Sequence, residues 1–185
     1  EEHPFNGHFD GDGSHVKVSI NENKNHQGLF GYIDGSGYVG NISVSGHING
    51  LDYTGGIAGY NQGTIENVYN QANIQGLDYT GGLIGYHLGS LESAYNRGQV
   101  IGDQYVGGIA AYVDNQISYT YNTGVVYGKS DVGALVGFLN RDLITNSYYD
   151  TRVLGAYRSY SNLMRPEFGV GNSTNSDTVK GLDKN

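Results

Sequence analysis

Cysteine and tryptophan are absent from these 185 residues, methionine occurs once and proline twice. Without cysteine there are no disulfides and no thiolate metal sites, so stability has to come from packing alone. Charge is scarce as well. Charged residues make up 15% of the chain and the net charge is −8, with 10 Lys and Arg in all. That balance excludes nucleic acid and anionic membrane surfaces as partners, because both select clustered cations. No apolar run reaches the ~18–20 residues of a membrane-spanning helix, so membrane insertion is not expected. No leader pattern opens the chain, which in a mature or excised piece leaves the compartment open. Capped helix starts and a sustained 3.6-residue apolar period are missing too, which excludes a helical fold.

What is present is one sentence repeated. Gly50-Leu51-Asp52-Tyr53-Thr54-Gly55-Gly56-Ile57-Ala58-Gly59-Tyr60 returns from Gly76 to Tyr86 and, more loosely, from Gly102 to Tyr112, 26 residues apart each time. A further pass runs from Gly128 to Phe138, and an earlier one ends in Gly28-Leu29-Phe30-Gly31-Tyr32. A fixed period of this size is the mark of a solenoid. The 31 glycines follow the repeat and not a Gly-X-Y rule, which excludes collagen and points to turns and close backbone approach.

Each repeat carries three short apolar segments bounded by Gly, Asn or Gln. The first is Gly-Gly-Ile-Ala-Gly-Tyr and its copies. The second is Thr64–Tyr69 with its copies Ser90–Tyr95 and Gln116–Tyr121, and the third centres on Ile48, Ile74, Val100 and Val126. Segments of this length and composition read as strands. Three strands per 26 residues predict an all-β, right-handed parallel β-helix, a three-sided β-solenoid of about five coils, with coils ~4.8 Å apart. The expected organisation is an N-terminal cap or half coil over 1–27, the repeat array over 28–151, and a C-terminal cap or linker over 152–185.

Stacking turns sequence columns into ladders. Tyr32, Tyr60, Tyr86, Tyr112 and Phe138 make one; Tyr69, Tyr95, Tyr121 and Tyr148 make a second; Asn70, Asn96 and Asn122 make a third. Aromatic and amide ladders both stabilise in-register parallel sheets. Tyr69 shares strand parity with Ile65, which predicts an inward column. Alternation leaves Asn67, Ser93 and Tyr119 without an assigned side. The same tyrosines and asparagines are the candidate ligand-binding residues: Tyr60, Tyr86, Tyr112, Asn70, Asn96 and Asn122 if they face outward.

Gly28-Leu29-Phe30-Gly31 and Gly82-Leu83-Ile84-Gly85 resemble the Gly-Leu-x-Gly core of the GLUG motif, and Tyr95-Asn96-Arg97-Gly98 and Tyr121-Asn122-Thr123-Gly124 resemble its second half. Phe9–Gly13 and Asn146–Thr151 are similar to the flanks of such arrays. The resemblance covers roughly Phe5–Thr151 and departs from the pattern at Ala72, Ala111 and Ala134. It implies a bacterial surface or secreted protein, of the kind represented by filamentous-haemagglutinin-like adhesins and by the N-terminal regions of immunoglobulin-A-cleaving metalloproteases. It supplies no catalytic residues, and the His-Glu-x-x-His of those proteases does not occur.

A polyuronate lyase needs cations around its substrate, yet Gly50–Gly128 contains only Arg97. A glycoside hydrolase needs two carboxylates about 5–10 Å apart. Asp52 with Asp78 and Glu66 with Glu92 meet the count, but solvated surface charge accounts for them better, because surface carboxylates are far commoner than catalytic pairs. Asp10-Gly11-Asp12-Gly13-Ser14 opens like a calcium loop, making Asp10 and Asp12 candidate metal residues, although Asn21 stands where such a loop ends in glutamate. His3, His8 and His15 follow no metal-ligand spacing.

The sequence therefore predicts a non-catalytic extracellular structural or adhesive module at a bacterial surface, without cofactor, whose partner is a host or environmental glycan or protein. Two alternatives stand beside it. One is a filament subunit stacking end to end as a homo-oligomer, with Ala156–Asn185 sealing the next copy. The other is a carbohydrate-binding or polysaccharide-cleaving β-helix.

Overall fold

The computed structural model describes residues 3–153, 168–172 and 179–182. The chain winds as parallel coils of about 26 residues into an all-β solenoid of about five turns. Its opening elements are β1 (His8–Asn21), β2 (Phe30–Ile33), β3 (Tyr38–Asn49), β4 (Thr54–Gly55), β5 (Ala58–Asn61), β6 (Thr64–Asn70) and β7 (Asn73–Gln75). Later coils repeat the last four in register: Tyr69 pairs with Tyr95 and Tyr95 with Tyr121, while Ile48, Ile74, Val100 and Val126 follow one another across four coils. Two sheets result. One stacks β6, β7 and their copies, joined through β3, and the other stacks β4, β5 and their copies.

Each of the three full repeats from Gly50 to Tyr127 thus holds four strand segments where three were expected, whereas a single strand covers Ser130–Leu139 in the coil after them. The first apolar segment of the repeat is divided, with Thr54–Gly55 on one side of Gly56-Ile57 and Ala58–Asn61 on the other. A corner lies just ahead of the first of these segments. Position 53 takes a left-handed backbone in successive coils, at Tyr53 (φ 60), Tyr79 (φ 56), Tyr105 (φ 53) and Asp131 (φ 50), so the chain turns a corner there. A bulky residue in that region is strained. Stacking of these rings on one another, Tyr53 on Tyr79 at 4.9 Å and Tyr79 on Tyr105 at 4.8 Å, offsets the strain.

A second left-handed column runs through Asn41, Asn67, Ser93, Tyr119 and Asn146, with φ between 48 and 55. It settles the residues that alternation could not place. The extra turn at Asn67 resets the parity of β6, so Ile65 and Val68 both point inward, Tyr69 points outward and Asn70 points inward. The inward reading of the Tyr69 column is therefore corrected, because period 2 holds only while the backbone stays extended.

The core is built of stacked aliphatic columns. Ile57, Leu83 and Ile109 are 0% exposed, and so are Ile65 and Leu91. Beyond the last full coil, Phe168–Val170 pairs with Gly133 and Val136, and Val179–Leu182 pairs with Ser147–Asp150. Both segments lie on the chain's own final coil. Gly171 and Asn172 follow the first of them, and the remaining residues of the Ala156–Asn185 tail, including Arg158, Arg165 and Lys184, lie outside the described residues. At the other end β1 pairs with β3 along its length, leaving Phe9, Val16, Val18 and Ile20 half-buried against the core.

Candidate functional site

The asparagine column is wholly internal. Asn70, Asn96 and Asn122 are each 0% exposed. Asn70 Nδ2 donates to Asn96 Oδ1 at 2.9 Å, and Asn96 Nδ2 donates to Asn122 Oδ1 at 2.9 Å. Every Oδ1 also accepts the backbone N–H two residues on, and every Nδ2 donates to a carbonyl at the same place. Their candidacy as ligand-binding residues is corrected, since a buried amide with its bonds already made has nothing to offer a ligand.

The glycines of the repeat make room for this ladder. A Cβ at Gly82 would stand 2.0 Å from the Gly108 carbonyl oxygen and 2.6 Å from the Asn96 amide; one at Gly98 would stand 1.8 Å from the Ala72 carbonyl oxygen. Alanine is admitted at the ladder's two ends. Ala72 follows Asn70, whose neighbour in the coil before is Val44, and Ala134 lies where the next coil has Tyr149 in place of an asparagine. There Asn122 Nδ2 turns to the Ala134 carbonyl at 2.8 Å. Nothing in the structure explains alanine at position 111.

Tyr60, Tyr86 and Tyr112 face outward and are half-buried. Tyr60 stacks on Tyr86 at 5.1 Å, Tyr86 on Tyr112 at 4.3 Å and Tyr112 on Phe138 at 5.5 Å, all within 6° of parallel. The corner column packs edge-on against them, Tyr53 to Tyr86 at 5.8 Å and Tyr79 to Tyr86 at 5.6 Å. Ring faces inside this strip are occupied by neighbouring rings, so it presents edges and hydroxyls to solvent. Burial first, then the neighbouring phenols, push Tyr60, Tyr79 and Tyr86 above the ordinary tyrosine range, with a hydrogen bond to Tyr112 adding to the shift at Tyr86. Tyr60, Tyr79 and Tyr86 therefore stay neutral at physiological pH. The corner tyrosines were missed as site residues even though they recur at the same spacing as the column they brace.

Carboxylates weighed as acid–base pairs have other partners. Asp52 Oδ1 accepts the Asp78 N–H, and Asp78 Oδ1 accepts the Gln104 N–H, each at 3.2 Å, so the aspartates tie one coil to the next. Burial raises the Asp78 pKa, the Gln104 N–H opposes that, and Asp52 and Asp103 add to it. Glu66 accepts the Tyr38 hydroxyl at 2.7 Å, which pushes that phenol up to about 12.

At the candidate metal residues, Asp10 Oδ1 accepts the Asp12 N–H at 2.9 Å and Asn41 Nδ2 at 3.0 Å, which hold the Asp10 carboxyl below its ordinary range. Among the described residues no group of three or more His, Asp or Glu side chains is arranged to hold a metal. With the loop's inner oxygen already committed, thermal melts in chelator and in millimolar calcium are expected to coincide. A rise of several degrees with calcium would contradict this.

Residues 50–75, one whole coil, match the family model of the GLUG motif. That coil carries the GLUG motif, and the stacked solenoid around it is consistent with a GLUG repeat array. No curated protein and no solved structure matches the chain. The matched GLUG coil contains the complete internal device, the Gly55-Gly56 pair and Asn70 that needs it, and the next two coils repeat it in register.

Proposed function

We propose that the array is a non-catalytic structural and adhesive module of an extracellular or surface protein, and that the outward tyrosine strip is its contact face. The observation carrying this is a row of stacked phenols on a rigid lattice, repeating at the ~4.8 Å coil spacing. Half-buried aromatic edges with hydroxyls suit polar, extended partners such as glycan chains or matrix proteins. Internal hydrogen bonding of Asp52, Asp78 and Glu66 supports the non-catalytic half of the reading, as those oxygens serve coil-to-coil contacts. Residues before 28 and after 151 would then close the array's ends.

The test is a glycan and matrix-protein array with the intact chain and with the triple variant Tyr60→Phe, Tyr86→Phe, Tyr112→Phe. The variant keeps the ring stack and removes its hydroxyls. Binding is expected to fall at least tenfold with the melting temperature within a few degrees of the parent; undiminished binding would refute the strip.

A second reading, end-to-end pairing of copies, is favoured by one observation. β1, 14 residues long, pairs on one edge only among the described residues, and an open edge templates further pairing. Sedimentation from low to high micromolar decides it, and a species that stays monomeric throughout rules it out.

A further inference from the structure

The Tyr69 column is incomplete at one end. Tyr69 stacks on Tyr95 at 5.0 Å and Tyr95 on Tyr121 at 5.4 Å, both at 7° between planes. On the N-terminal side the residue in register with Tyr69 is Ser43, so that face of the ring has no aromatic neighbour. One coil further, His15 pairs with Ser43, and its imidazole is tied to Ser43 Oγ at 2.9 Å and Ser45 Oγ at 2.7 Å. Arg97 hydrogen-bonds to Tyr69, fixing the ring from its outer end. Two strand spacings, ~9.6 Å, separate the Tyr69 and His15 levels, with a serine between them where a ring would fit.

That space is a cavity of about 490 Å³ lined by Asp12, Gly13, Asn41, Ser43, Asn67 and Tyr69. It lies within the size range of small-ligand sites. A bulge builds its rim: between Asp10 and Ser14 three residues face the single Asn41, which pushes Asp12-Gly13 outward over the next coil. Asn41 and Asn67 arrive from two further coils at the left-handed corner. Their amides are pre-arranged, with Asn67 Nδ2 donating to Asn41 Oδ1 at 3.2 Å and Asn41 Nδ2 donating to Asp10 Oδ1 at 3.0 Å. Among the described residues, the Asp12 carboxylate and Asn67 Oδ1 have no hydrogen-bond partner, and both border the cavity.

We propose that this cavity binds a neutral pyranose, a hexose at the end or branch of a glycan, stacked on the free face of Tyr69 with its hydroxyls held by Asp12, Asn41 and Asn67. A sugar's C–H face against a tyrosine ring buries apolar surface, while paired hydroxyls match a carboxylate flanked by carboxamides. The sugar ring takes the place of the tyrosine that the column lacks at position 43. The Asp12 carboxylate in the lining, with Asp10 behind it on Asn41, selects against uronic acids by like-charge repulsion. The proposal rests on the adhesive reading of the array and gives it a site separate from the Tyr60 strip.

The experiment titrates the full chain, ¹⁵N-labelled, with methyl glycosides of glucose, galactose and mannose, and with methyl glucuronoside as the charged arm. Affinity for one hexose is expected in the millimolar range, so titration runs to ~50 mM. At least one hexoside should shift the side-chain amides of Asn41 and Asn67, and the glucuronoside should not. Ser43→Tyr completes the tyrosine column and should abolish the shifts with the fold retained by circular dichroism. Asp12→Asn, which leaves the cavity open, should weaken binding about tenfold.

Absence of shifts with every hexoside, equal shifts in Ser43→Tyr, or glucuronoside bound as well as hexose would each overturn the proposal. Binding on the glycan array that survives Ser43→Tyr and is lost in the Tyr60/Tyr86/Tyr112 triple variant refutes this site and leaves the adhesive reading standing. Hexoside shifts that Ser43→Tyr removes, with no binding on either array, support the site and refute the strip.

Discussion

Asn96→Ala is expected to lower the stability of the whole array by roughly 3–5 kcal/mol, read from urea unfolding. The side chain is 0% exposed and sits in the middle of the ladder. Its removal takes the acceptor from Asn70 Nδ2 and the donor from Asn122 Oδ1, and strips the Gly98 N–H and C=O of their side-chain partners. Each buried group left unsatisfied costs about 1–3 kcal/mol, and water cannot enter a packed stack to compensate. The control is Asn67→Gly on the outer amide column, where φ is 51 and the side chain is exposed. Glycine holds that backbone without strain, so the change should stay within ~1 kcal/mol. A loss below ~1 kcal/mol for Asn96→Ala would mean the ladder is incidental to stability.

Acid should weaken the fold through one residue well before the bulk of the carboxylates titrate. His87 is 0% exposed, and burial lowers its pKa to about 4, with the hydrogen bond to Gln116 acting in the opposite direction. Its neutral form fits the contacts. Nε2–H donates to the Gln116 carbonyl and Nδ1 accepts from Asn61 Nδ2, each at 3.2 Å. A base whose folded pKa lies below its unfolded value is protonated more readily in the unfolded chain. Its stabilisation is therefore complete above the unfolded pKa of ~6.5, declines as pH falls, and levels off near 4. Between pH 6.5 and 5 the loss should be about 2 kcal/mol, at ~1.4 kcal/mol per unit. His87→Val, which copies Val113 at the same place in the next coil, should flatten that slope. Equal urea midpoints at pH 7 and pH 5 in the parent, or an unchanged slope in the variant, would defeat the assignment.

The period, the parallel stacking and the membership of each column were readable from residue spacing, because a 26-residue repeat fixes which side chains become neighbours whatever the coil's cross-section. Which way a column points was not. Facing depends on backbone parity, and the parity of β6 is reset by Asn67, a residue type that also serves as an ordinary loop residue and so gives no clear warning. Ser93 and Tyr119 hide the same corner in the next two coils behind residues with no left-handed preference at all. The corner ahead of the Gly-Gly segment escaped for the same reason, since a tyrosine at φ 60 is a corner that no turn rule anticipates. At the candidate sites, the tyrosines were found and the asparagines misassigned: an amide ladder looks the same in sequence whether it is built inward or outward. The cavity beside Tyr69 arises from serine in place of tyrosine at position 43, which the 26-residue spacing shows, and from the bulge between Asp10 and Ser14, which it does not.

The amide ladder also sets a rule for how such an array changes size. Asn70 and Asn96 point the same way, each amide nitrogen toward the carboxamide oxygen one coil on, and Asn122 ends the run on the Ala134 carbonyl. Removing or duplicating residues 76–101 rejoins identical ends, leaving every carboxamide with the partners it had. Any shift that is not a whole coil sets a carboxamide opposite an aliphatic side chain. Length is therefore quantised: lineages of such proteins can grow or shorten only in steps of one coil, each moving the two ends apart by about 4.8 Å without altering the lateral surface. The module is a ruler with fixed graduations, and its reach is written as a copy number.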